Sequence, residues 1–493
     1  MRQNLLQIGW AQTDITPDRP VYVQGQLYHR ISSYVRDPLT ATALALESGE
    51  EQVIFLSADL AGFSDPLLEA VREKLRNNGV GLDVSKVNFS GTHTHNSIEF
   101  SPGVSVFELI LGRNFIPEDR MPKVNYPSNY LSGSEGMEWL SSKLAQVVLD
   151  AWESRLPGSV AAAHDYAAVG HNRRPQFLAN GKRETRMYGT CSEDCFVGLE
   201  NSVDHTANFL FCWDENRNLT GVLAAIPCPS QVHELHCYLT ADYWKDAREQ
   251  LRNAFGDIFV LPLCAFAGDQ NPLDLVQISK YNEEEFKIWN AQSAEVLRNV
   301  DLSAECRDIG ERIAEAAMRA YRKAKVAMEA RPVVRHDISE IKLPVRCVTE
   351  ADYLQAQQAL DEMIDNFSPE KPMTWPDVAA AFPHAGVVGR WERQNVDPYW
   401  TLETHAIRIG RAVFVTAPSE MFVEYGFRVR ARCRADEVFP IQLSNGMYGY
   451  VPTEAAVAGG SYSGSPASTP LSPDGGTELT DHLIRHANSL FTL

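Results

Sequence analysis

No stretch of the chain holds the roughly 18 consecutive apolar residues that a membrane-spanning helix needs. Positive charge is also short. Lys and Arg total 45 against 64 Asp and Glu, a net charge of −19. Such a chain has no electrostatic footprint for a phosphate backbone, which excludes nucleic acid as the expected partner. It gains nothing from an anionic membrane surface either. The opening residues lack a signal-peptide core, turning polar at Gln12 and Asp14, so the expected compartment is the cytoplasm. The nine cysteines are odd in number and scattered, which reads as reduced thiols and not a disulfide framework. Cys191 and Cys195 lack the second pair that a four-cysteine zinc site requires. No repeat period and no long low-complexity stretch is present. What remains is 493 residues of ordinary globular composition, 44% hydrophobic and 22% charged. An enzyme or a small-molecule binder is the starting expectation, with its oligomeric state unreadable.

The pattern is that of an α/β protein. Residues 52–59 read as a buried strand. Residues 65–79 follow as an amphipathic helix, with Asp65 as N-cap, Pro66 at the first turn and Gly79 as the stop. Residues 86–91 form the next strand, so the β-α-β unit predicts a parallel pair. Further strands are expected at 159–169, 206–213, 219–227, 258–264, 334–344 and 438–443, with a hairpin at 403–416 around Gly410. Helices are expected at 135–155, 242–255, 306–329, 350–365 and 420–434. Two long irregular regions, 112–133 and 458–478, read as loops that bind or cover a ligand. Composition shifts nowhere sharply, so residues 1–493 are expected to form one large mixed-sheet unit.

Several segments carry chemistry. Ser90-Gly91-Thr92-His93-Thr94-His95-Asn96-Ser97 follows a strand directly. In extended backbone His93 and His95 point the same way, at the sheet edge where α/β proteins keep their ligands. Imidazoles there suit a zinc ion, or they are a hydrogen-bonded loop pair. Phe266-Ala267-Gly268-Asp269 also follows a buried strand, and Asp269 fits either a ligand role or a helix cap. The segment Pro227–His236, leading into Thr240-Ala241-Asp242, gathers Cys228, His233, Glu234, His236 and Asp242. Its histidines are three apart, not the four of the zincin pattern. Ala417-Pro418-Ser419-Glu420 and Gly449-Tyr450-Val451-Pro452 come late in the chain.

Taken in order, the Gly-Thr-His-Thr-His motif, Asn172-Arg173-Arg174, Thr240-Ala241-Asp242, Gly268-Asp269, Pro418-Ser419-Glu420 and Gly449-Tyr450-Val451 resemble the neutral/alkaline ceramidases and their shorter bacterial relatives. Asp14-Ile15-Thr16-Pro17 near the start is similar too. The resemblance spans essentially the whole chain. It implies the mixed-sheet α/β fold of the ceramidase catalytic domain, and the C-terminal immunoglobulin-like domain that full-length ceramidases carry is not expected within these 493 residues. It also implies a zinc amidase. By motif position His93, Glu420 and Tyr450 are zinc ligands. His95 lies near the reacting carbonyl, Tyr462 helps hold the oxyanion, and Arg173 lines the site. Two departures stand out. The family's second ligand histidine falls on Cys228, so a thiolate ligand, a swing of His233 or His236 into the site, or loss of the metal are all open. Asn271 stands where the family has serine, which excludes a serine nucleophile there.

The expected activity is hydrolysis of an amide by metal-activated water, with zinc as cofactor and Asp269 as a candidate general base. A soluble polar amide is the expected substrate in preference to ceramide. A catalytically silent small-molecule-binding protein and a metal-dependent carbohydrate lyase or isomerase are the competing readings.

Overall fold

The computed structural model describes residues 4–492 apart from 28, 77–78, 101–124, 190, 280–286, 290–294, 298–301, 367–369 and 371–374. Most of the first expected loop, 112–124, lies outside the described residues. Eight strands form the main sheet: β1 (Gln7–Asp14), β2 (Thr40–Ser48), β3 (Glu51–Ala58), β4 (Val87–Gly91), β5 (Leu156–Tyr166), β6 (Thr206–Asp214), β7 (Leu219–Ile226) and β8 (Phe259–Cys264). Their order across the sheet is β8-β7-β6-β5-β1-β2-β3-β4. A second sheet holds β9 (Val334–Pro344), β10 (Tyr399–Ile409), β11 (Ala412–Thr416) and β12 (Glu437–Ile441), in that order.

The two sheets share one apolar layer, where Leu44, Phe55, Leu223 and Leu261 meet Ile407, Phe414 and Phe439. The Phe55 and Phe414 rings lie 4.9 Å apart. Each such side chain taken from water contributes roughly 1.5–3 kcal/mol. Helices cover the outer faces. α1 (Asp65–Arg76) and α2 (Gly133–Glu153) pack Leu67, Leu140 and Leu144 on one half of the main sheet. α3 (Tyr243–Phe255) and α4 (Leu302–Ala324) pack Trp244, Ile309 and Ile313 on the other. α5 (Glu350–Ile364) and α6 (Trp375–Val396) precede β10. α7 (Val423–Arg432) and α8 (Pro473–Ser489) cover the second sheet.

Within these two sheets most pairings are antiparallel, and three among the described residues are parallel. β3 runs parallel to β4 as expected, β7 to β8, and β11 to β12. The carboxyl ends of these parallel pairs converge. Isolated bridges join Ser90 to Ser444, Thr94 to Ser230 and Ala265 to Ile441. The second expected loop, 458–478, is only partly irregular, because α8 begins at Pro473. Among the described residues no helix is long and apolar enough to cross a membrane.

Candidate active site

Most of the segments that carry chemistry leave one of those carboxyl ends. The turn past β4 carries His93 and His95, the turn past β7 carries Gln231 and Glu234, and the turn past β8 carries Asp269. Glu420 follows β11, and Tyr450 follows β12. Glu420–Met421 pairs in parallel with Tyr450–Val451, which sets those two side chains in register. Gly268 makes close approach possible, because a Cβ there would sit 2.6 Å from the Glu420 carbonyl oxygen.

His93 is held in left-handed backbone, φ 60°, a conformation that persists only when its surroundings impose it. Its N–H donates to the Leu60 carbonyl at 2.9 Å, and its own carbonyl accepts from Ser230 N–H at 3.2 Å. The ring Nδ1 lies 2.6 Å from the Ala61 carbonyl oxygen. A carbonyl only accepts, so Nδ1 carries a proton and Nε2 is the ring atom left to face the site. That Nε2 faces Glu420 Oε2 at 3.3 Å in a buried setting. With a proton on Nε2 the contact is an ion pair; without one, a positive charge has to stand between the two groups. The arrangement suits a divalent cation, with the backbone carbonyl orienting the imidazole from behind. Burial pushes the Glu420 carboxyl up, but His93 and Arg173 together outweigh it and the net shift is down. Tyr450 also hydrogen-bonds Glu420, and burial holds its hydroxyl well above its ordinary value. His93 and Glu420 thus bring an imidazole and a carboxylate together with the Tyr450 phenol beside them, donor types that a divalent cation takes.

His95 stands beside this set, its ring 4.9 Å from that of His93 and nearly perpendicular. Burial, reinforced by His93, holds it well below its ordinary value, so the imidazole is neutral. Its Nδ1 lies 3.4 Å from Glu234 Oε2. The Gln231 amide nitrogen is 3.1 Å from the ring. Glu234 also accepts from Gln231 at 3.2 Å and from Gln26 at 3.1 Å. Burial pushes its carboxyl up to about 7. Arg30 clamps the two segments from below, donating to the carbonyls of His95 at 2.5 Å and Glu234 at 2.7 Å. Gly25 closes over them, where a Cβ would lie 2.3 Å from His95 Cα.

Arg173 closes the opposite side. Its guanidinium lies 5.3 Å from the Tyr450 ring centroid and donates to the Gly268 carbonyl at 2.9 Å. Burial works against its charge, yet Tyr450, Tyr188 and Glu420 outweigh that and raise it well above the usual value. The Tyr462 ring stands 5.5 Å from Tyr450, its hydroxyl pushed up by burial to about 12. Asn271 donates to the Tyr188 hydroxyl at 2.7 Å and to Gln231 Oε1 at 3.3 Å.

Two expectations land elsewhere. Asp269 is fully buried. Its Oδ1 accepts the Val423 N–H at the start of α7 at 3.0 Å, and its Oδ2 accepts from Asn172 at 3.2 Å. Burial pushes it up to about 6, but both oxygens are engaged in holding the framework. Cys228 packs in the apolar cluster between β7 and α3. Its thiol lies 3.4 Å from the Pro229 carbonyl, and the charges that act on it are those of Cys264, Asp242, Arg312 and Glu305. Burial holds the thiol well above its ordinary value.

Both neighbouring histidines lie against Tyr238. His233 Nδ1 lies 2.8 Å from the Tyr238 hydroxyl, and the His236 ring stacks on Tyr238. His233, Asp242 and Cys306 do place ligand atoms within 4.8 Å of one another. Asp242, however, already accepts the N–H groups of His233 at 2.8 Å and Tyr243 at 2.9 Å as the cap of α3. Glu234 was legible only as part of a dense segment. Its spacing of three from Gln231 in a turn, rather than the His-x-x-His spacing, brings the segment's working groups together.

The mixed-sheet α/β architecture is shared with solved enzymes. The neutral ceramidase from Pseudomonas aeruginosa matches with a TM-score of 0.67 at 16% identity, over 99% of this chain and 74% of that one. A ceramidase complexed with C2 matches at 0.65 and 15%, over 99% and 75%. No protein-family model and no curated protein matches by sequence. The chain has the neutral ceramidase fold.

Proposed function

We propose that this chain is a zinc-dependent hydrolase that cleaves the C–N bond of a soluble, polar amide, adding one water to give a carboxylic acid and an amine. The observation that carries the reading is His93 Nε2 set 3.3 Å from Glu420 with its Nδ1 locked on a carbonyl. The fold shared with the ceramidases supports the same chemistry, although fold alone does not choose a substrate.

His93, Glu420 and Tyr450 would hold the ion. Bound there, zinc would bring the pKa of a water to about 7 and polarise the substrate carbonyl. Glu234, adjacent to His95 and sitting near 7 itself, is suited to take the proton from the attacking water and return it to the departing nitrogen. Neutral His95 and the Tyr462 hydroxyl donate to the oxygen that becomes negative at the tetrahedral stage. Arg173 adds a fixed positive charge behind Tyr450. Asn271 has no nucleophilic oxygen, so no acyl-enzyme forms at that position.

The test is elemental mass spectrometry of protein purified without added metal, alongside screening of an amide library. About one zinc per chain, lost with turnover in His93→Ala, is the expected result. A protein that takes up no metal even when zinc is supplied would move the reading to a silent binding protein.

A further inference from the structure

Between α6 and the second sheet lies a cavity of about 680 Å3 whose lining includes Glu420, Tyr450 and Tyr462. Its lining includes the aromatic rings of Phe382, Trp400, Tyr448 and Tyr462, and the guanidinium groups of Arg390 and Arg393. We propose that this cavity holds the part of the substrate remote from the cleaved bond, and that Arg390 and Arg393 receive a carboxylate or another anionic group there. The proposal rests on the hydrolase reading only for where the cleaved bond lies.

Three observations carry it. First, Arg390, which donates to the Pro466 carbonyl at 3.4 Å, and Arg393 bring two positive charges to the lining in a chain whose net charge is −19. The two acids of the lining are already committed. Glu420 faces His93, and Asp65 accepts the Tyr448 hydroxyl at 2.9 Å at the start of α1. Second, the two arginines lie three apart on α6, so they share one helix face. Arg393 lies 5.3 Å from the Trp400 ring centroid, and it pairs with the half-exposed carboxylate of Asp397 at 3.6 Å. Such a pair is weak and easily exchanged for a ligand anion. Third, a guanidinium beside an aromatic wall offers a planar carboxylate two parallel hydrogen bonds while the ring takes the adjoining apolar part. A cavity meant for a long alkyl chain would have no use for two guanidinium groups.

Calorimetric titration of the full-length, metal-loaded chain tests this with N-benzoylglycine and its neutral counterpart N-benzoylglycinamide. The acid is expected to bind about ten-fold more tightly or better. In the Arg390→Gln/Arg393→Gln double variant the two affinities should fall within about two-fold of one another, while Arg393→Lys should retain part of the preference. Raising salt from about 0.05 to about 0.5 M should weaken the acid and not the amide. Equal binding of the pair, no binding of the acid, or a preference that survives the double variant would overturn the proposal. Turnover is read separately. A preference for the acid with no hydrolysis of any amide leaves the anion site standing and removes the hydrolase reading.

Discussion

Arg174 and Glu200 form a fully buried, two-pronged ion pair, with Nε–Oε1 at 2.6 Å and Nη2–Oε2 at 3.0 Å. The same guanidinium donates to the carbonyls of Ala456 and Gly460 and to the Ser463 hydroxyl, at 3.1, 2.7 and 3.0 Å. It therefore ties the segment just after the site residue Arg173 to the turn that presents Tyr462. Thr185 completes the set by donating to Glu200 at 2.7 Å. Glu200→Ala leaves a buried cation without its partner, which costs about 3–5 kcal/mol. Urea denaturation should show that loss. Glu200→Gln, which keeps the shape, should recover part of the stability. An unchanged midpoint in Glu200→Ala would show that the pair does not hold the loop.

Glu234 and His95 separate binding from proton transfer. Neither belongs to the donor set of His93, Glu420 and Tyr450, so Glu234→Gln and His95→Ala should keep their zinc. Turnover should fall about 10²–10⁴-fold in the first and about 10²–10³-fold in the second. Metal analysis and kcat on the same preparations check this. Loss of zinc from Glu234→Gln would make that residue a ligand instead of a proton carrier.

Cys228 separates alignment from geometry. Its thiol faces Cys264 and the core of β7, so Cys228→Ser should leave zinc content and turnover unchanged and cost about 1 kcal/mol of stability. Elemental analysis of the variant decides the point. A fall in bound zinc would put the thiol in the coordination sphere after all.

What the chain made legible follows from where its signals are local. Strands such as 258–264 are short apolar runs bounded by polar turns, and 334–344 alternates, so both could be read directly. α6 escaped because Pro383 interrupts its interior, with Gly386 and Gly389 close behind. α8 escaped because Gly475 and Gly476 sit in its first turn. Each is a residue that local preference places outside helices, and packing overrides it. In the site, His93, His95, Glu420 and Tyr450 were legible because each directly follows a strand or a strand-like run. The partnership of Glu234 with Gln231 was not, because it depends on a turn whose shape is set by Arg30 and Asp242 from distant parts of the chain. Cys228 and Asp269 showed the limit of counting positions along a motif. Which way a side chain points depends on the strand register that precedes it.

A last prediction concerns acid. His336 Nε2 lies 2.9 Å from His405 Nδ1 on the neighbouring strand of the second sheet, and His336 Nδ1 reaches the main sheet at 3.2 Å from the Gln52 carbonyl. Groups facing it include Glu403 and Asn445, at 3.0 and 2.7 Å from His405, and Lys86 and Arg72 nearby. Burial lowers both histidines from their ordinary value, His336 the more strongly. The unfolded chain therefore takes up protons near pH 6.5 that the native state refuses. Stability contributed by the neutral pair is present above that pH and is lost as pH falls from there toward the lowered native values. The slope is at most about 1.4 kcal/mol per pH unit for each histidine. Urea midpoints at about pH 8, 6.5 and 5 should fall progressively, and His336→Gln should lower the midpoint at pH 8 while flattening the decline. A variant as acid-sensitive as the parent would assign the loss to other groups.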